Sequence, residues 1–255
     1  MIDFYYWGTQ CPYNYSNKKV LDQIREEYNV EINCYDLTKN HEIAEKLNLY
    51  SPTMTIFDNQ LRWSGPITHG LILKYLNGEK LSRKPYIVES ENKKVLGELK
   101  LFKPDMHKDI VNLCCKRDCI DCSQEKSKWM EKIINKYDVD HLGVLHYVNG
   151  ECVGGVEYVP SIEVPYKIPK SKKYAFLTCI YASDPVYDYK SHPLSGLEED
   201  LKKQGYTKVY AIVSEEVSFP NGTLDWFINE GYNDLGLVYY EENDNANQHL
   251  IEKIL

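Results

Sequence analysis

Tyr174-Ala-Phe-Leu-Thr-Cys-Ile-Tyr-Ala182 is an unbroken apolar, aromatic and β-branched run, and it reads as a buried strand. A polar segment, Tyr189-Lys-Ser-His-Pro-Leu-Ser-Gly196, follows it and opens a helix in which Leu194, Leu197 and Leu201 recur at three and four residues. Gly205 ends that helix, Lys208-Val-Tyr-Ala-Ile-Val213 is the next strand, and Asn221 to Glu230 reads as a further helix stopped at Gly231-Tyr232. Upstream, His141–Val148 and Glu151–Val159 flank Asn149-Gly150, the strongest short-range hairpin signal. Before them lie a helix from Ser127 to Tyr137, with Trp129, Met130, Ile133 and Ile134 as its apolar set, and an alternating strand from Val95 to Phe102.

Strand, phosphate-type turn, helix, strand, helix resembles the second half of the acetyl-CoA-dependent N-acetyltransferases of the GNAT superfamily. In that family the turn reads tyrosine, Arg or Gln, Gly, x, Gly, x, Gly or Ala. Glycines there let backbone N–H groups crowd a pyrophosphate at a helix N-terminus. The matching positions are Tyr189 to Ser195: Lys190 keeps the basic residue, and Ser191, Pro193 and Ser195 stand where the glycines would. The resemblance implies acetyl-CoA or CoA as cofactor and a small amine or peptide amine as acceptor. It implies that Thr178, Cys179, Ile180, Tyr181 and Ala182 run along the pantetheine and thioester. Lys190, Ser191, His192, Leu194, Ser195 and Gly196 would surround the pyrophosphate. Amide formation from a thioester also needs a base for the amine proton, and Glu157 and Glu215 are the candidates. The family's tyrosine acid is replaced by Phe227.

The front of the chain reads differently. Ile2–Tyr6 is a short strand. A helix follows on Val20, Leu21, Ile24 and Tyr28, then a strand from Val30 to Tyr35 and a helix from His41 to Leu49. Ser51-Pro-Thr-Met-Thr-Ile-Phe57 is a third strand, Gln60–Trp63 pairs with it, and a helix runs from about Ile67 to Asn77. This βαβαββα order, with Cys11 after the first strand and Pro52 before the third, resembles the thioredoxin fold in its glutaredoxin-size form. Cys11-Pro12-Tyr13-Asn14 resembles the glutaredoxin site, with Asn14 at the second cysteine. Independently of that likeness, Cys11 meets a helix N-terminus, where thiolate is favoured, so Cys11 is a candidate catalytic thiol.

Cys114, Cys115, Cys119 and Cys122 crowd one short segment. Such a group suits zinc or an iron–sulfur cluster. Alternatively, Cys115, Cys119 and Cys122 fall on one helical face as small apolar fillers or redox thiols.

The bounds are ordinary. The 255 residues carry a net charge of −8, which argues against a nucleic-acid partner. No apolar run reaches about 18 residues, so no membrane span is expected. The start has no basic-then-apolar signal, so a cytoplasmic protein is expected. The expected architecture is two α/β domains: a thioredoxin-like unit at 1–82, a linker at 83–94, and a GNAT-like acyltransferase unit at 95–255. The leading function is N-acetyl transfer. Thiol-redox or metal handling by Cys11 with the cysteine cluster, a silent binding scaffold, and transfer from a different acyl thioester are the alternatives.

Overall fold

The computed structural model describes residues 1–85, 87, 93–110, 113, 119–217 and 221–255. The N-terminal unit contains β1 (Ile2–Tyr6), α1 (Pro12–Glu27), β2 (Ile32–Asp36), α2 (His41–Lys46), β3 (Thr53–Phe57), β4 (Leu61–Ser64) and α3 (His69–Leu76). Its sheet runs β2-β1-β3-β4, with β1 parallel to β2 and antiparallel to β3. The period of two along β1 sorts its side chains. Ile2 and Phe4 meet Leu21, Ile24 and Ile72 from α1 and α3, while Tyr5 joins Leu37, Ala44 and Leu49 on the opposite face.

The rest of the chain adds β5 (Lys93–Lys94), β6 (Glu98–Leu101), α4 (Ile120–Tyr137), β7 (Gly143–Val148), β8 (Glu151–Pro160), β9 (Tyr174–Ala182), β10 (Tyr187–Asp188), α5 (Ser191–Lys203), β11 (Lys208–Ser214), α6 (Leu224–Asn229), β12 (Asn233–Glu241) and β13 (Ala246–Ile254). Among the described residues, seven of these strands form one sheet in the order β12-β13-β11-β9-β8-β7-β6, and β10 pairs with β5 apart from it. The 149–150 hairpin is present, with Asn149 and Gly150 both at positive φ. The closing pair β12 and β13 lies beyond Tyr232, where the sequence reading stops, and β13 inserts beside β11. One helix is shorter than expected: α6 starts only at Leu224. Pro104–Lys108 forms a 3₁₀ turn ahead of α4.

The central strand β9 carries a bulge. Glu157 pairs with Cys179 and Tyr158 with Leu177, so Thr178 is the extra residue. One extra residue reverses the facing of everything after it. Before it, Ala175 and Leu177 face Leu194, Leu197 and Leu201 of α5, and Phe176 faces the α4 side. After it, Ile180 faces α5, and Cys179 and Tyr181 face the α4 side.

The two units share one core. Trp7 packs edge-on against Trp129 of α4 and against Tyr166, and Tyr50 packs on Tyr166 from the same side. Polar contacts tie the rim. Arg62 makes two hydrogen bonds to the buried Glu241, at 2.8 and 2.6 Å, and lies over the Tyr239 ring. Arg83, within the expected linker, pairs with Asp244, which also takes the Ser64 hydroxyl.

Candidate active site at the parting of the central strands

Strands β9 and β11 are parallel neighbours for three residue pairs only, Tyr174–Phe176 against Lys208–Tyr210. Both continue beyond that point without pairing, so their backbones part. Asn221 bridges the opening: its amide nitrogen donates to the Ile212 carbonyl at 3.0 Å and reaches the Leu177 carbonyl at 3.4 Å. Its buried Oδ1 accepts no hydrogen bond among the described residues. The space left is a cavity of about 10 Å³ lined by Thr178, Ile212, Asn221 and Phe176 from the large sheet and by Trp7, Gln10 and Pro52 from the N-terminal unit. That is the lower limit for one water molecule.

Beside it lies a buried polar cluster. Glu157 of β8, 2% exposed, pairs with Lys126 of α4, 1% exposed, at 2.7 Å. Lys126 also donates to the Gln10 carbonyl at 2.9 Å and lies 3.3 Å from the Tyr181 hydroxyl. The bulged Thr178 brings its hydroxyl to 3.5 Å from the same Glu157 oxygen. The other carboxylate oxygen, Oε1, is buried with no hydrogen-bond partner among the described residues. Burial pushes the Glu157 carboxyl above its ordinary range, and Lys126 pulls against that. This is not the solvated strand edge that an isolated glutamate on an alternating strand suggests. Lys126 was not singled out from the sequence, yet it falls three, four and seven residues before Trp129, Met130 and Ile133, within the apolar stripe of α4. A lysine at such a position signals a buried partner.

The expected pyrophosphate turn is built otherwise. Asp188 Oδ1 accepts from the Lys190 N–H at 3.0 Å and the Ser191 N–H at 2.9 Å, so a carboxylate of the chain itself occupies the start of α5. Burial works against the Asp188 charge, but hydrogen bonds from Ser191 and Lys190 hold its pKa below the usual range. The half-buried Lys190 places its ammonium 4.4 Å above the Trp226 ring, and burial lowers its pKa. His192 Nε2 is 3.1 Å from the Gly97 carbonyl, and Leu194 is in the core. Ser195 is exposed, and Gly196 abuts Leu99 of β6, 2.4 Å from where a Cβ would sit. Of the residues expected around a pyrophosphate, none offers a cradle as placed. The diphosphate of coenzyme A therefore does not fit the first turn of α5 unless Asp188 moves. The arm end differs: Thr178, Cys179, Tyr181 and Ala182 lie on β9 where it leaves β11, with Ile180 turned to α5.

Glu215 is not brought to Glu157. It follows β11, takes a 2.6 Å hydrogen bond from Asn247, and lies 3.3 Å from His249 Nε2 on the β13 side.

Cys11 is the N-cap of α1 and is half-buried at the seam between the units, close enough to Tyr166 to add to the burial that raises that phenol's pKa. Its neighbours Thr9 and Gln10 are docked on α4, the former through a 2.8 Å hydrogen bond to the Glu125 carbonyl. The thiol loop is thus held against the second unit rather than presented outward. Asn14, in the second-cysteine position, is buried and donates to the Gly8 and Pro52 carbonyls, which fixes the loop against the turn before β3.

The metal expectation is corrected. Cys119 and Cys122 form a disulfide, which leaves neither a thiolate to ligate an ion. Cys114 and Cys115 lie outside the described residues, and among those described no group of His, Cys, Asp and Glu could hold a metal ion. Of the expected face through Cys115, Cys119 and Cys122, Cys119 is the N-cap of α4 and Cys122 lies in its first turn, while Cys115 lies outside the described residues.

No protein-family model matches the chain, and no curated protein matches it significantly. Among solved structures it is similar to a ribosomal-protein-alanine N-acetyltransferase from Brucella melitensis, at 13% identity and a TM-score of 0.45 over 62% of this chain and 99% of that one. It is similar to an acetyltransferase of the GNAT family from Streptococcus pneumoniae, at 14% identity and a TM-score of 0.44 over 62% and 99%. A third is the PaiA N-acetyltransferase from Thermoplasma acidophilum in complex with coenzyme A, at 13% identity and a TM-score of 0.42 over 62% and 98%. At these values the likeness is confined to chain path. No helix among the described residues is long and apolar enough to cross a membrane.

Proposed function

We propose that the seven-stranded unit, residues 95–255, is an N-acyltransferase that moves an acyl group from a thioester to a small amine or peptide amine. The observation that carries this is the Glu157 carboxylate. It is buried beside the bulge on β9 where the central strands part, with one oxygen held by Lys126 and the other without a hydrogen-bond partner among the described residues. A carboxylate in that place can take the proton an amine sheds as it is acylated. Burial raises its pKa and so strengthens it as a base at neutral pH. Acetyl-CoA is the donor the family resemblance implies. Because Asp188 occupies the α5 N-terminus, a donor whose arm enters the strand opening without a diphosphate on α5 suits this chain better.

In this reading, residues 1–82 are a thioredoxin-like module of glutaredoxin size. The sheet order β2-β1-β3-β4, with Cys11 at the N-cap position of α1 and Asn14 bonded to the Pro52 carbonyl, supports that. Its place over the opening makes it a cover that acceptor and donor must pass.

A second reading is favoured by the same closed opening: a silent scaffold in which Asn221 and Asp188 have replaced the cofactor's own contacts. Thermal melts with millimolar acetyl-CoA and, separately, acetyl-pantetheine decide between them, with mass spectrometry of polyamine and peptide acceptors. Transfer requires a raised Tm with at least one donor and an amide product, lost by roughly 10²–10⁴-fold in Glu157→Gln. Neither shift nor product from either donor leaves the scaffold.

A further inference from the structure

Cys119-Ile-Asp-Cys122 sits at the start of the 18-residue helix α4, outside the cluster just described. The pair is oxidised, and its two halves are unlike. Cys119, the N-cap, is half-exposed, whereas Cys122 is 1% exposed and packed inward. The Cys122 backbone N–H points at the Cys119 sulfur, 3.3 Å away. Lys126 is one turn beyond Cys122 on the same face of the helix, and its ammonium is engaged by Glu157 and the Gln10 carbonyl. Ile120, between the cysteines, is 60% exposed.

We propose that Cys119–Cys122 is a redox-active disulfide that exchanges with external thiols, with Cys119 as the attacked sulfur and Cys122 as the leaving one. An incoming thiolate can reach only the half-exposed sulfur. It bonds to Cys119, the protein S–S bond breaks, and Cys122 leaves as thiolate, then takes a proton from solvent. A second external thiolate attacks the external sulfur of the mixed disulfide. Cys119 departs as thiolate, and the small thiol leaves as its own disulfide. The sum is one protein disulfide and two thiols giving a protein dithiol and one small disulfide, a two-electron exchange.

Each placed group favours the reduced products. The helix N-terminus and the Cys122 N–H stabilise thiolate at Cys119, and a stabilised thiolate makes a better leaving group and a more oxidising pair. A structural role is less well served, because linking residues three apart closes a very short loop and constrains the unfolded chain less than a long one does. Exposed Ile120 gives a thiol-bearing partner an apolar contact next to the sulfur that is attacked.

The test uses the full-length chain equilibrated in glutathione buffers from fully reduced to fully oxidised, quenched in acid, differentially alkylated and peptide-mapped. The expected result is a Cys119–Cys122 pair that passes from dithiol to disulfide within the buffer range, following the square of the thiol concentration divided by the disulfide concentration, while the near-ultraviolet circular dichroism stays folded. In Cys122→Ser, glutathione should be captured at Cys119, and the wild-type titration stands whether or not that variant folds. A pair that stays oxidised in the most reducing buffer until the protein unfolds overturns the proposal. So does one that stays reduced in the most oxidising buffer, and so does capture at Cys122.

Discussion

Replacing Lys126 with methionine tests the buried cluster most directly. The side chains are similar in length, so packing against Trp129 and Met130 is kept while the cation is lost. Lys126 makes contacts of 2.7 Å to Glu157, 2.9 Å to the Gln10 carbonyl and 3.3 Å to Tyr181. Without it, a carboxylate only 2% exposed has no counter-charge. Breaking a buried pair from one side costs about 3–5 kcal/mol, which for a chain of this size lowers Tm by about 6–20 °C. The deficit should depend on pH. The Glu157 carboxyl already titrates high because of burial, and deleting Lys126 removes the pull that opposes it. A carboxyl whose folded pKa exceeds its unfolded value contributes stability below the unfolded pKa and loses it as pH rises through the folded one. The Lys126→Met deficit should therefore be largest at alkaline pH and shrink as pH falls through the raised folded pKa, where the carboxyl takes up its proton. Lys126→Met combined with Glu157→Leu should recover most of the loss, since an apolar pair of similar volume carries no buried charge. Urea denaturation followed by circular dichroism at several pH values measures all three. A single-variant deficit below about 1 kcal/mol, or one flat with pH, would show that the cluster is not a buried ion pair in solution.

Asp188→Ala should cost about 1.5–3 kcal/mol by removing charged hydrogen bonds to the Lys190 and Ser191 N–H groups. It should also enlarge the Tm rise given by acetyl-CoA, and an unchanged rise means the diphosphate does not use α5. Arg62→Met strands the buried Glu241 and should cost roughly 3 kcal/mol, with faster proteolytic cleavage between the units; an unaltered digestion pattern counts against the rim's role. Gly154→Ala places a methyl 2.3 Å from the Tyr189 carbonyl and should cost about 1–3 kcal/mol in chemical denaturation. A neutral outcome means the segment after β9 does not lie on β8.

Much of this architecture is legible because it rests on local signals. The Asn149-Gly150 hairpin, the Leu194/Leu197/Leu201 face and the apolar run at Tyr174 each carry their own periodicity, and each forms as expected. The hairpin of β12 and β13 is harder to see, because Asn233–Glu241 is mostly exposed or half-exposed and pairs with two register shifts. An edge strand of that kind alternates weakly. At the site, Glu157 and the β9 segment can be picked out, but what they meet cannot. The partners Lys126, Gln10 and Asn221 come from separate parts of the chain, and long-range pairing leaves no periodic trace. Asp188 was missed for a different reason: a carboxylate three residues ahead of a helix is an ordinary polar residue until its oxygen is seen on the helix N–H groups. The cysteines illustrate the converse. Their spacing admits a metal site, a helical stripe and a disulfide, and sequence alone does not choose among these.

The edge-on contact of Trp7 with Trp129, ring centres 5.8 Å apart, spans the seam between the two units. The chain has only four tryptophans, and the other two, Trp63 and Trp226, each lie within one unit. Indoles at that separation couple electronically, so the seam carries its own optical label. Any separation of the N-terminal unit from the large sheet would abolish the coupled signal of this pair even with the helices and strands of both kept. Loss of the seam can thus be followed by near-ultraviolet dichroism and emission without attaching a dye, and separated in time from melting of either half.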